Sequence, residues 1–315
     1  MIALVTGAAG FVGSHLCELL LEAGHAVRGV DSFTDYYPRL LKEENVLPLL
    51  GRPGFALVEG DLATVPLEGL LDGVDRIYHL AGQPGVRPSW GSEFRTYVRQ
   101  NIEVTQKLLE ACRSRPIHKF LYASSSSVYG DAESYPTPES IRPRPISPYG
   151  VTKLAAEHLC ELYRVNFSVP TASLRLFTVY GPRQRPDMAF CRLVTAAVNG
   201  EPFELYGTGE QTRDFTFVGD VVQAMALAAA SEWCGVANIG GGARTSMNEV
   251  LGIVESLAGP VEVVRGAVQH GDVRHTAADT HVAAEAFDYS PRTSLPTGLR
   301  AMVDWARERE KAGAR

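Results

Sequence analysis

No two of the five cysteines are spaced as CxxC. Cys17, Cys112, Cys160, Cys191 and Cys234 lie far apart, each inside an apolar segment. This pattern excludes a disulfide framework and predicts packed thiols in a reducing compartment, with no metal site expected. Basic charge is short as well: 30 Lys and Arg stand against 36 Asp and Glu, for a net charge of −6. A pI near 5.8 argues against nucleic acid or an anionic membrane as the main partner. No apolar run is long enough to span a bilayer. The longest helix-like stretch, Val221 to Ala230, falls far below the ~20 residues required. No basic n-region precedes the first strand, so no signal peptide and a cytoplasmic location are expected. Internal repeats, low-complexity tracts and Gly/Ser/Pro linkers are also missing.

What is present is an ordinary globular composition: 45% hydrophobic and 21% charged over 315 residues, enough for one large or two medium domains. The first half alternates strand and helix. Strands are expected at Ile2–Val5, Val27–Val30, Ala56–Val58, Arg76–Leu80, Phe120–Ala123 and Thr171–Phe177. Between them lie helices at Phe11–Ala23, from about Arg39 to Leu50, Glu93–Arg113 and Tyr149–Asn166. Such alternation implies right-handed crossovers and a doubly wound parallel sheet of the Rossmann type. After Phe177 the rhythm breaks. Short elements follow: a helix at Ala189–Asn199, strands near Phe203–Leu205 and Asp214–Phe217, and helices at Asp220–Ala230, Met247–Ala258 and Leu295–Arg309. They predict a smaller C-terminal α/β substrate-binding lobe, residues 178–315, packed on a dinucleotide-binding domain, residues 1–177, with some chain crossing back.

The first strand runs into three glycines, Gly7, Gly10 and Gly13. Gly7 permits the tight turn, Gly10 a close approach of backbone to a pyrophosphate, and Gly13 close packing of helix on sheet. The N-terminus of that helix, at Phe11 and Val12, offers N–H groups to the phosphates. The spacing is GxxGxxG rather than GxGxxG, so the strand–turn–helix context carries the reading. Asp31 ends the second strand, where a carboxylate accepts adenine-ribose hydroxyls and repels a 2′-phosphate, favouring NAD over NADP. Asp61, with Leu62 after it, reads either as an adenine contact or as a turn residue.

Four serines, Ser124 to Ser127, close the fifth strand, at the edge where α/β sheets place ligands. Ser147 and Pro148 then open a helix bearing Tyr149 and Lys153 at i and i+4. A free phenol, with a pKa of about 10, is a poor base at neutral pH. A neighbouring ammonium and an oxidised nicotinamide favour the phenolate. The expected roles are Ser125 holding a substrate hydroxyl, Tyr149 taking its proton and Lys153 tuning Tyr149.

TGAAGFVG, Asp31, HLAG (His79 to Gly82), SSSSVYG, YGVTK and RDFTFVGDV (Arg213 to Val221) occur in one order. Together they resemble the extended short-chain dehydrogenase/reductases that act on nucleotide sugars, from Ile2 to about Trp305. The resemblance implies a tightly held NAD regenerated in each cycle, with Leu80, Ala81 and Gly82 along the cofactor, and a homodimer formed through the helices near residues 93–113 and 149–166. It implies that Asn101 supports the proton network behind Tyr149 and Lys153. It also implies that Arg213 grips a UDP diphosphate, Asp272 binds a ribose, Phe203 to Tyr206 hold uracil, and Arg274 adds a phosphate contact unless it is a surface arginine.

The reaction is narrowed by what the serine run leaves out. Sugar 4,6-dehydratases of this family carry Asp-Glu before Val-Tyr-Gly, and decarboxylases usually keep a Glu there. Here both positions are serine, Ser126 and Ser127, so elimination is disfavoured. The segment Phe177 to Ala189 resembles UDP-glucuronate 4-epimerases, in which the arginine of RPDMA meets the sugar carboxylate. Arg185, Thr178 and Ser127 are the expected carboxylate pocket. Arg87 is a second substrate-side candidate. The expected function is NAD-dependent 4-epimerisation of UDP-glucuronate. UDP-glucuronate decarboxylase, UDP-glucose 4-epimerase and a non-catalytic NAD-binding scaffold are the alternatives.

Overall fold

The fold is taken from a computed structural model that describes residues 1–267, 273 and 275–313. Its first half contains β1 (Ile2–Thr6), α1 (Phe11–Glu22), β2 (Ala26–Asp31), α2 (Arg39–Val46), β3 (Phe55–Glu59), α3 (Leu67–Leu70), β4 (Arg76–His79), α4 (Phe94–Tyr97), α5 (Val104–Cys112), β5 (Lys119–Ser125), α6 (Pro148–Phe167) and β6 (Thr171–Leu176). The second half contains β7 (Val179–Tyr180), α7 (Ala189–Asn199), β8 (Phe203–Tyr206), β9 (Thr212–Asp214), β10 (Thr216–Phe217), α8 (Val218–Ala230), β11 (Gly235–Ile239), β12 (Arg244–Ser246), α9 (Met247–Ala258), β13 (Val263–Gly266), α10 (His281–Phe287) and α11 (Leu295–Gly313).

Seven parallel strands form the main sheet in the order β11-β6-β5-β4-β1-β2-β3. Chain order reverses between β1 and β4, which opens a crevice at the carboxyl ends of those strands. Side chains alternate between the two faces. Ala3 and Val5 join the core under α1 and α8, whereas Leu4 joins the core under α3, α5 and α6. A third core, built on α7, α9 and α11, holds the smaller lobe. Three elements after residue 178 belong to the large layer: α8 lies beside α1, β11 adds the outer strand next to β6, and α10 packs against both α8 and β11.

Three local expectations are corrected. The helix expected across 93–113 forms as one continuous helical run, but it is not α-helical throughout. A π-helical stretch, Val98–Glu103, separates α4 from α5. The expected strand Asp214–Phe217 is two strands, because β9 pairs antiparallel with β12 whereas β10 pairs parallel with β7. The β11 segment was not expected as a strand at all. It is only five residues long and carries no long apolar run, so its sheet position comes from pairing with β6.

Candidate active site

The glycine turn forms one wall of a cleft in the crevice. Gly7 has φ +71°, and an added Cβ there would press on the Ala81 amide nitrogen at 3.0 Å. A Cβ on Gly13 would lie 2.0 Å from the Gly7 carbonyl oxygen, so only glycine lets α1 start this close to β1. Gly10 is the N-cap of α1 and carries no side-chain cap, so the first N–H groups of the helix point toward the cleft. The cleft is lined by Gly7, Gly10, Phe11, Val12 and Gly13 on this side and by Asp61, Leu62, Leu80, Ala81 and Gly82 opposite. It encloses about 970 Å³ of space, part of it open to solvent.

Asp31 ties the turn to β2. Its Oδ2 accepts the Ala9 N–H at 3.1 Å and its Oδ1 accepts the Phe33 N–H at 2.8 Å. Burial raises its pKa, while these backbone donors and Lys42 oppose the rise. Asp61 accepts the Ala63 N–H at 2.9 Å and an Arg99 N–H at 2.8 Å, so its carboxylate is partly committed. The cradle therefore fits a dinucleotide: a glycine-only approach for a pyrophosphate, a helix N-terminus facing it, and a carboxylate at the ribose end.

The catalytic candidates converge at the far end. Ser147 caps α6 by accepting the Gly150 N–H at 3.1 Å. A Cβ at Gly150 would lie 2.5 Å from the Ser127 carbonyl oxygen, so Gly150 brings the start of α6 against the serine turn. Ser125 Oγ accepts the Ser127 N–H at 3.1 Å, and its hydroxyl lies on the Tyr149 side of the serine turn, where it favours the ionised phenol. Burial raises the Tyr149 pKa, and the Ser125 hydroxyl and the Arg185 charge pull it back. Lys153 lies one turn on, its Nζ 4.5 Å above the Tyr122 ring, and burial lowers its pKa to about 8.

Asn101 stands behind this pair, on the π-helical stretch. Its Oδ1 accepts the Gln83 N–H at 2.7 Å, and its Nδ2 donates to the Gln83 carbonyl at 3.2 Å and to Thr152 Oγ1 at 3.0 Å. The amide is thereby spent on the loop after β4 and on α6, and does not line the cleft. Gly82 makes room for it, since a Cβ there would be 2.8 Å from Asn101 Oδ1. π-helical turns are rare and recur at functional sites, and this one is where Asn101 turns inward.

On the substrate side, Arg185 lines the cleft and grips Asp187 with two bonds of 3.0 Å. Its guanidinium lies 5.7 Å from the Tyr36 ring. Arg87 stacks on Tyr206 at 4.7 Å, bringing together two residues 119 positions apart. Ser126 and Ser127 are half-buried beside Ser125, and Thr178, half-buried between β6 and β7, gives its carbonyl to the Thr216 N–H. Ala189 opens α7 and is exposed, and Arg213 is half-buried on β9. Phe203 turns its side chain into the smaller lobe. It is 3% exposed within the smaller lobe's core, and its N–H is bonded to the Glu262 carbonyl. Asp272 and Arg274 lie outside the described residues. Tyr36, Tyr97 and Asp187 were not expected at the site. Tyr97 donates to the Pro84 carbonyl at 2.8 Å, and its ring meets Tyr149 edge-on at 6.3 Å. No motif marks Tyr36 or Tyr97, which loops distant in sequence bring there, whereas Asp187 lies in the RPDMA segment two residues after Arg185.

A parallel sheet with a glycine turn at its switch point, and a serine, tyrosine and lysine at the same edge, is the layout of a short-chain dehydrogenase/reductase. Comparison with known proteins narrows the class. The model of the NAD dependent epimerase/dehydratase family matches residues 3–240, and the chain belongs to this family. It is 45% identical to an uncharacterized UDP-glucose epimerase, YtcB, of Bacillus subtilis, over 94% of this chain and 95% of that protein. It is 33% identical to UDP-glucuronate 4-epimerase of Thermodesulfobacterium geofontis, over 97% and 96%. Among solved structures, UDP-glucuronic acid 4-epimerase from Bacillus cereus, in complex with UDP-glucuronic acid and NAD, superposes with a TM-score of 0.94. Its identity is 43%, covering 98% of this chain and 99% of that one.

Proposed function

We propose that this protein is a UDP-glucuronate 4-epimerase that interconverts UDP-glucuronate and UDP-galacturonate with NAD retained throughout. The observation that carries the reading is the placement of Ser125 at the end of β5 and Tyr149 in the first turn of α6, with Arg185, whose charge reaches Tyr149, on the wall of the glycine-lined cleft. The names of its relatives support the same substrate.

Gly7, Gly10 and the start of α1 would hold the pyrophosphate, and Asp31 the adenine ribose. Bound NAD supplies reversible hydride storage at its nicotinamide. Ser125 orients the sugar O4–H, and Tyr149 takes its proton as the C4–H electron pair leaves with the hydrogen. The C4–O single bond becomes C=O. After the 4-keto sugar turns over, Tyr149 returns the proton to O4 and C4 regains hydride on its other face. Lys153, one turn beyond Tyr149, is the residue whose ammonium would favour the phenolate of Tyr149. Arg185 faces the C6 carboxylate, and no carboxyl stands at Ser126 or Ser127 to drive an elimination.

The chain assembles as a homodimer through α6. Val151, Leu162 and Val165 are exposed on one face of that helix, opposite the buried Lys153, Ala156 and Cys160. Trp90 and Phe94 add apolar area.

Incubation with UDP-glucuronate, resolved by NMR, should yield UDP-galacturonate with no net NADH. Tyr149→Phe should lose activity by about 10²–10⁴-fold, the range for removing a general base, and keep its NAD. UDP-xylose or a 4-keto pentose as the sole product would move the reading to a decarboxylase.

A further inference from the structure

The loop that carries Arg185 is bolted to the cofactor helix. Arg183 Nη2 pairs with Glu18 Oε1 at 2.7 Å, and its Nη1 reaches Ser14 Oγ at 3.3 Å. His15 Nε2 lies 3.0 Å from the Pro182 carbonyl, which can only accept, so Nε2 carries the proton. These pairs link residues at least 165 positions apart. Arg183 has φ +64°, a left-handed conformation unusual for a side chain of this size, and its bonds to α1 hold it there. The next residue, Gln184, is also pinned. It is 4% exposed, its Nε2 donates to the Val179 carbonyl at 2.9 Å, and its Oε1 accepts the Cys191 N–H at 2.9 Å. Arg185 follows directly and projects into the cleft.

One helix thus serves two ligands. The first turn of α1 faces the dinucleotide cradle, and its second turn holds the loop on the sugar side. We propose that Glu18, His15 and Arg183 are positioning residues that set the Arg185 guanidinium, and so determine discrimination between a sugar with a C6 carboxylate and a neutral one. The proposal rests on the UDP-glucuronate reading and adds three residues that stand outside the cleft lining. Glu18 and Arg183 are about one-fifth exposed, so their pair is shielded enough to fix geometry. Asp187 completes the hold from the other side of Arg185.

The test uses the NAD-loaded protein and isothermal titration with UDP-glucuronate, UDP-glucose and UDP. Wild type should bind the acid more tightly than the neutral sugar; failure of that comparison overturns the substrate reading itself. In Glu18→Gln and Arg183→Met, the acid-to-neutral preference should fall about tenfold while UDP affinity and NAD content stay unchanged. In turnover, KM for UDP-glucuronate should rise more than kcat falls. The charge-exchanged double variant Glu18→Arg with Arg183→Glu should recover much of the preference. A preference that persists in folded single variants overturns the proposal. So does an equal loss of affinity for all three ligands, which would assign the bridge to the fold alone.

Discussion

His79 carries no charge in the folded protein. Burial, aided by the Lys153 charge, lowers its pKa from 6.5 to about 3. Its bonds assign the tautomer. Thr6 Oγ1 already accepts the Leu80 and Ala81 N–H groups, so its hydroxyl donates to His79 Nδ1 at 2.8 Å. His79 Nε2–H then donates to Thr105 Oγ1 at 3.0 Å, and Thr105 donates to the Asn101 carbonyl at 2.7 Å. A buried polar chain therefore runs from β1 beneath the cofactor cradle to Asn101 and Thr152, beside Tyr149 and Lys153. Below pH 6.5 the unfolded chain binds a proton at this histidine that the folded state refuses until about pH 3. Stability should rise with pH across that window and fall as pH drops through it, by about 1.4 kcal/mol per unit from this group. Denaturant unfolding at pH 6.5, 5.5 and 4.5 measures the slope. His79→Gln should flatten it by about one proton's worth; an unchanged slope would place the acid sensitivity elsewhere.

At the scale of elements, α1 does the most with the least room. Its glycines stand where backbone meets backbone, so no rotamer change relieves an added methyl. Gly13→Ala would bring a Cβ to 2.0 Å from the Gly7 oxygen and 2.8 Å from the Gly7 carbonyl carbon. The backbone must shift, at a cost of about 1–3 kcal/mol, and NAD retention should fall with it. Gly69→Ala, in α3, meets nothing within 4 Å and is the control that should keep both stability and NAD. Thermal melting and NAD content after gel filtration read both effects. Equal behaviour of the two variants would remove the close-packing argument for the turn.

The whole molecule is held by polar as well as apolar links. Ser124, Glu157, Arg175, Tyr129 and Asn238 form one buried network across β5, α6, β6 and β11, with the Glu157–Arg175 pair at 2.5 Å. It anchors the strand contributed by the second half of the chain to the catalytic helix. The same helix turns its exposed apolar face outward, which is the basis for the proposed dimer. Light scattering should give twice the 34.2 kDa chain mass for wild type. Leu162→Glu with Val165→Glu, both more than half exposed in the monomer, should give the single-chain mass with the fold retained. A wild type of single-chain mass would overturn the dimer.

Local spacing determined much of this protein in the sequence alone. Strand–helix alternation wrote the parallel sheet, and the positions of Gly7, Gly10, Gly13, Asp31, Ser125, Tyr149 and Lys153 were legible because each belongs to a motif within one turn or strand end. Period and propensity act over a few residues, so they can be read from a few residues. Tertiary structure decided what depends on loop closure. It paired Arg183 with Glu18, brought Tyr36 to Arg185 and Asp187, stacked Arg87 on Tyr206, bent residues 98–103 into a π turn around Asn101, and placed β11 beside β6. These contacts join segments whose own sequences carry no sign of one another. Their energy appears only once the sheet has fixed the distance between them.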